Sequence, residues 1–494
     1  MSRPMVARSY RSDARRSRLT LRAPGRLAIL GAGVGVLVLQ PEAAGTPALS
    51  RLAPRRPALS RLAPRRPAPR RLAPRRLAPC RLAPRRPAPR RPAPRKAAGV
   101  TVVVLVKQTY VRRSATSRSK HLGVVRRGAR MATRGLVTGP GCSLGWYRLV
   151  RGGFVCAGEI GVTSQKPGGP RHPVVVGKRL LPYRYVAVRE DGSGEYLEPE
   201  DAASDYFLRQ LAPRNAITVS GRTRYDGEWF YKTTRGTYVP ATEVVRIRAS
   251  RFAGQKLGGK WRLPLVFVLR KRVRIYRKPG RPGRARVKRF ERFSVVETKR
   301  RWRRTYYRIG KDRWLRDRDV RLSARAPLPE GLGASERWID IDVREQVLTA
   351  YEGKKPVFTT LVSTGRRART PLGSHRVWAK IAATDMRSRP RDTSHYQLWN
   401  VPWTVFFKGA YALHGTYWHR RFGYRKSSGC VNLSPRDART LFGFIGPKLR
   451  PGWWAVLPQR KKDGTLVRVR DGKRLDRKRR RRRRRHRRRG TRRR

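Results

Sequence analysis

Residues 338–365 read WIDIDVREQVLTAYEGKKPVFTTLVSTG, with apolar and polar positions alternating on both sides of Glu352-Gly353. Successive side chains of a strand point to opposite faces, so this alternation predicts half-buried strands, and the glycine predicts the turn of a β-hairpin between them. Downstream, Thr370-Pro371-Leu372-Gly373 punctuates as a turn, and strand composition resumes at His375-Arg376-Val377-Trp378 and in NVPWTVFF from Asn400. A helix is predicted from Pro435: proline suits the first helical position after Ser434, and Ala438, Leu441 and Phe442 recur at helical spacing. A short closing strand is expected at 453–457, after Pro451-Gly452. These signals delimit a mainly β domain at 335–460.

Upstream of it a pattern recurs three times. Trp146-Tyr147-Arg148, Phe154-Val155 and Glu159-Ile160 return as Phe230-Tyr231-Lys232, Tyr238-Val239 and Glu243-Val244. They return again as Tyr306-Tyr307-Arg308, Trp314-Leu315 and Asp319-Val320, all at one spacing. Copies about 80 residues apart suit one small domain each. Glycines at Gly152-Gly153 and Gly236 place turns as hairpins require. The unit resembles the closing hairpin of bacterial SH3-like barrels, which implies modules at 97–165, 166–250 and 251–325 that bind the wall or space an enzyme from it.

The 494 residues carry 121 Lys+Arg against 30 Asp+Glu, a net charge of +91. The 17 bases of residues 51–96, the net +15 of the tail from Arg474 and the +6 of residues 1–50 leave +53 on residues 97–473. Residues 51–96 repeat RLAPRRPAPR-like decapeptides, whose prolines and like charges predict an extended tether. The tail 461–494, with KRRRRRRRHRRR from Lys478, is expected to be disordered and to bind polyanions by counterion release. Residues 1–50 have a basic start, an apolar run at 27–39 and the small residues Ala43-Ala44-Gly45, as an export leader does. Arg15-Arg16-Ser17-Arg18-Leu19 matches a twin-arginine signal only in part, because Arg18 stands where an apolar residue is usual. The expected location is therefore the periplasm or cell envelope, with anionic envelope polymers or lipid head groups as partners of the arginine-rich segments. Charge alone would suit a nucleic-acid binder, but no base-reading module accompanies it, and no specific nucleic-acid partner is expected.

The four cysteines differ in setting. Cys142 and Cys156 lie 14 residues apart and bracket a predicted turn, where a disulfide closing a loop of that size contributes roughly 3 kcal/mol. Cys80 lies in the tether, and Cys430 stands in SSGC. No ligand spacing for a metal is present, since His414 and His419 do not form HExxH, and no cofactor is expected.

Ser363-Thr364-Gly365, Thr370-Pro371-Leu372-Gly373, His414-Gly415-Thr416, Gly423 and Ser427-Ser428-Gly429-Cys430-Val431-Asn432-Leu433 occur in that order. Together they resemble the catalytic domain of L,D-transpeptidases, the YkuD domain. The resemblance implies a β-sandwich and acyl transfer on peptidoglycan stem peptides, with Cys430 as nucleophile, His414 as its base and the carbonyl of Gly415 orienting that base. It also implies acylation by carbapenem-type inhibitors. The chemistry is consistent with the residues: a thiol becomes a strong nucleophile once a neighbouring imidazole takes its proton, and Gly429 lets backbone approach a scissile carbonyl. Ser427, Ser428 and Gly429 are expected to support an oxyanion site with the Cys430 amide. Trp403, Tyr396, Tyr411 and Asn432 are candidates for a stem-peptide groove. Many family members have histidine where this chain has Ser428, so a second-histidine role is absent there, and His419 reads as a solvated loop residue beside Arg420 and Arg421. Two other outcomes share these features, namely L,D-carboxypeptidase trimming and a non-catalytic wall-binding protein.

Overall fold

The computed structural model describes residues 99–388 and 396–472. The leader, the decapeptide tether and the arginine run from Lys478 lie outside the described residues. What is described is mainly β, with a single α-helix among the described residues.

The alternating stretch forms the expected hairpin: Arg337–Asp342 pairs antiparallel with Val347–Glu352, which pairs with Lys355–Leu361. Gly353 turns the chain at φ 53°, and a Cβ there would lie 1.6 Å from the carbonyl oxygen of Ala334. On the other edge Leu466–Arg470 runs parallel to Arg337–Asp342, and Gly373–Arg376 follows antiparallel. A second group of strands comprises Ala379–Arg387, Gln397–Lys408, Tyr411–Gly415 and Val431–Leu433. Ile339, Ile341, Leu348, Val405, Leu413, Val431, Leu433 and Val467 fill one core, with Ala438, Leu441 and Phe442 of the helix Pro435–Phe444 packed in. Ser434 caps that helix, its Oγ accepting from the Asp437 amide at 3.2 Å.

The boundary expected at 460 is corrected by Leu466–Arg470, whose Arg468 and Arg470 both pair at 2.7 Å with the 3% exposed Asp340. Residues 461–472 therefore belong to the domain, not to the tail. Its arginines, which look like tail in the sequence, sit between apolar residues that face the core.

Each copy of the upstream repeat folds alike. Trp146–Leu149 with Phe154–Cys156, Glu228–Thr233 with Tyr238–Pro240, and Arg304–Gly310 with Arg313–Arg316 are antiparallel pairs. Each leads through a three-residue 3-10 turn into one more strand. Cys142 and Cys156 are joined, with Cα atoms 5.7 Å apart.

The repeats are not separate beads, although the sequence sets module boundaries between them. His121–Arg126 pairs with Trp453–Val456, so strand pairing runs from the first repeat into the C-terminal domain. Leu181, Tyr185 and Ala216 of the second lie in the core that contains Leu413 and Val431. Phe252, Leu265, Phe267 and Leu269 share a cluster with Val347, Leu361 and Phe422. Burial of apolar side chains across each boundary opposes independent movement of the parts.

Candidate active site

Tyr411–Gly415 and Val431–Leu433 are parallel neighbours in the register Leu413↔Val431, His414↔Asn432, Gly415↔Leu433. Leu413, Val431 and Leu433 turn to the core, so the opposite face carries His414 and Asn432. Cys430 stands in the bend immediately before Val431, where that strand begins, with its Sγ 3.7 Å from the carbonyl oxygen of Ala410.

The turn ahead of Cys430 is tightly bonded. Ser427 Oγ donates to the Cys430 carbonyl at 2.5 Å and accepts from the Gly429 amide at 3.1 Å. Thr370 Oγ1 donates to the Gly429 carbonyl at 2.7 Å and accepts from the Gly365 amide at 2.8 Å. Ser363 bridges to Asn432 and Gly365 to Ser427. The STG and TPLG motifs thus brace the cysteine turn, a role their sequence spacing alone does not reveal. Ser428 is half-buried in this turn. Arg366, Arg367 and Arg369 are exposed beside it, with the Arg366 amide donating to the Ser427 carbonyl at 2.9 Å.

His414 is 2% exposed, its ring stacked on Trp418 at 5.6 Å. Its Nδ1 lies 3.5 Å from the Gly415 carbonyl. A carbonyl only accepts, so Nδ1 carries the proton and Nε2 keeps its lone pair. Burial lowers the pKa of His414 to about 4; the Gly415 carbonyl opposes the shift and His419 adds to it. The ring is therefore a neutral base at ordinary pH. Gly415 is closely packed, since a Cβ there would stand 3.0 Å from the Trp403 ring and 3.2 Å from the Pro402 carbonyl oxygen.

Two expectations are corrected here. Trp403, expected to wall a groove, is 3% exposed in the core beneath Gly415, at a φ of 55°. An indole buried among aliphatic side chains cannot meet a solvent-borne peptide. His419, expected in solvent, is half-buried against Phe422 and Trp418. The Arg421 amide donates to its Nδ1 at 3.2 Å, and Asn432 lies 2.8 Å from its Nε2. With Nδ1 accepting, Nε2–H must donate, so the facing atom of Asn432 is its amide oxygen. That assignment gives Oδ1 of Asn432, otherwise buried without a hydrogen-bond partner among the described residues, its donor. Burial, with Lys426 and Arg421 nearby, lowers the His419 pKa to about 4. Nothing in HGTYWH distinguishes this inward histidine from a loop residue.

Tyr411 packs directly on Gly429, and Tyr396 is half-buried at the start of the strand Gln397–Lys408, packed against the same core. Among the described residues no group of three or more His, Cys, Asp or Glu is placed to hold a metal.

Residues 336–469 match the family model of the YkuD L,D-transpeptidase catalytic domain. Among curated proteins none matches the chain. Solved structures similar to it include the catalytic domain of an E. faecium L,D-transpeptidase, 22% identical over 27% of this chain and 97% of that one, with a TM-score of 0.22. An L,D-transpeptidase from Mycobacterium smegmatis is 18% identical over 36% and 70%, with a TM-score of 0.23. L,D-transpeptidase 3 from Mycobacterium tuberculosis, in complex with a faropenem-derived adduct, is 19% identical over 34% and 77%, with a TM-score of 0.23. The assignment of residues 336–469 rests on the domain match and not on these likenesses.

Proposed function

From the premise that residues 336–469 are a YkuD L,D-transpeptidase catalytic domain, we propose that the protein transfers acyl groups of peptidoglycan stem peptides through a thioester on Cys430. The observation that supports this most directly is the parallel pairing of the strand that carries His414 with the strand that follows directly on Cys430, with the Nε2 lone pair of His414 unused by its Gly415 contact.

In the first step the Cys430 thiol gives its proton to Nε2 of His414, and the sulfur attacks the carbonyl of the third stem residue. The amide bond to the terminal D-alanine breaks, and the proton held on His414 passes to the leaving amine. In the second step an acceptor amine loses a proton to His414 and attacks the thioester, which restores the thiol. An acceptor on another stem gives a crosslink between third residues, a protein lysine gives anchoring, and water gives L,D-carboxypeptidase trimming. The bracing of Gly429 and Cys430 by Ser427 and Thr370 preorganises the turn where the tetrahedral oxyanion forms.

The proposed location is the cell envelope outside the cytoplasmic membrane, where stem peptides are found. The net charge of +91 supports adhesion to anionic envelope polymers or lipid head groups. The test is to incubate the full chain with a carbapenem and with tetrapeptide stems. A covalent adduct on wild type that disappears in Cys430→Ala, and release of D-alanine, are the expected results. An unmodified wild type, or an equal adduct on Cys430→Ala, removes the proposal.

A further inference from the structure

Among the described residues the polar anchor of His414 is one long contact of 3.5 Å to the next residue's carbonyl, so packing sets the orientation of its ring. That packing leads out of the catalytic domain. His414 stacks on Trp418, and Trp418 meets Tyr417 edge to face at 4.9 Å. Tyr417, 1% exposed, stacks at 3.8 Å on Tyr185, which belongs to the second upstream repeat. Four rings thus run without interruption from the upstream strand Arg184–Val188 to the candidate base.

The near end of this row is firmly held. The Tyr185 hydroxyl donates to the Asn400 carbonyl at 2.8 Å, and that of Tyr417 to the Trp399 carbonyl at 2.8 Å. Thr218 accepts from the Asn400 side-chain amide at 2.7 Å, Asn215 accepts from the Gln397 amide at 2.8 Å, and Arg235 pairs with Asp385 at 2.5 Å. Asn400 itself has a φ of 47°, a conformation that asparagine tolerates better than bulkier residues. The upstream repeat is therefore built onto the strand Gln397–Lys408, which pairs with the strand Tyr411–Gly415 that carries His414.

We infer that Tyr185 is a positioning residue for the acyl transfer: by stacking on Tyr417 it fixes residues 415–419 and, through Trp418, the His414 ring. Residues 166–250 are on this account part of the catalytic unit, not a spacer. The inference rests on the thioester reading above.

The test measures carbapenem acylation of the full chain against concentration and pH by intact mass. Tyr185→Leu is expected to lower the saturating rate roughly threefold to tenfold, the range that loss of one stacked ring pair supports. The half-saturating concentration should stay within about twofold, because the substrate surface is unchanged. The acid limb should move upward from about 4 toward the ordinary histidine range as the looser ring gains water. Tyr185→Phe, which keeps the ring, should restore both rate and limb. Should Tyr185→Leu fail to fold, Tyr185→Met fills the site without a ring and is read in the same way. Wild-type rate and an unmoved acid limb in a folded non-aromatic variant overturn the inference while leaving the thioester intact. An unreactive wild type overturns both.

Discussion

Tyr411 lies so close to Gly429 that a Cβ on this glycine would stand 2.4 Å from Tyr411 Cε1. Gly429 also holds a φ of 150°, which side chains rarely adopt. Gly429→Ala should therefore displace the cysteine turn from Tyr411 and Thr370. The expected result is loss of most carbapenem acylation, at least about tenfold, with strain of about 1–3 kcal/mol in urea unfolding. Full acylation in this variant would show that the turn is looser than its contacts indicate.

His414 buried as a neutral ring has consequences for pH. With its pKa lowered to about 4, it remains a proton acceptor throughout the range in which an ordinary histidine would become charged. Acylation should hold as pH falls through 6.5 and decline only near 4; an acid limb at 6.5 would place His414 in water. His414→Ala should lower the rate about a hundredfold or more, as removal of a general base does.

Asp340 joins two arginines of the last strand while almost wholly buried. Removing Asp340 leaves Arg468 without its carboxylate, while Arg470 keeps Asp342, and Asp340→Ala should destabilise the protein by about 3 kcal/mol. A chain ending at 460 loses both Arg468 and Arg470 and the strand that joins Arg337–Asp342 to Gly373–Arg376. It should aggregate or melt well below a chain ending at 472, and thermal unfolding of the two compares them directly.

Lys380 is buried, its Nζ donating to the carbonyls of Phe442 and Ile445 at 2.7 and 2.6 Å, where the helix Pro435–Phe444 ends. Desolvation, helped by Lys448, lowers its pKa to about 7. Between that value and the ordinary lysine range the unfolded chain binds more protons than the folded one, so this group makes stability rise with pH from about 7 upward. Urea unfolding at pH 7 and 9 should show the rise in wild type and a smaller one in Lys380→Met. Equal slopes would place the ammonium in water.

Much of the site could be read from local pattern. Alternation in 338–365 gave the hairpin because one face of each strand is buried and the other is not. The capped helix start at Ser434-Pro435 is equally local, as are the glycine before Cys430 and the position of His414. Residues whose roles depend on long-range contact were hidden. His419 is bonded by Asn432, which lies 13 positions on. Tyr185 meets its partner ring across more than two hundred residues, so no spacing marks it. Leu466–Arg470 was obscured because its arginines resemble those of the tail, while its apolar positions are too few to stand out. Trp403 shows the converse: its aromatic ring fits a groove as well as a core, and only the close approach of Gly415 decides between them.

The ladder between His121–Arg126 and Trp453–Val456 also has a directional consequence. A strand pair with interdigitated side chains on either side is not a swivel. The strand that carries His414 and the strand that follows Cys430 therefore keep a set heading relative to residue 99, the first described residue. Under the proposed thioester transfer, whatever holds the chain at that point aims Cys430 as well as locating it, and the choice among acceptor amines becomes partly a matter of orientation.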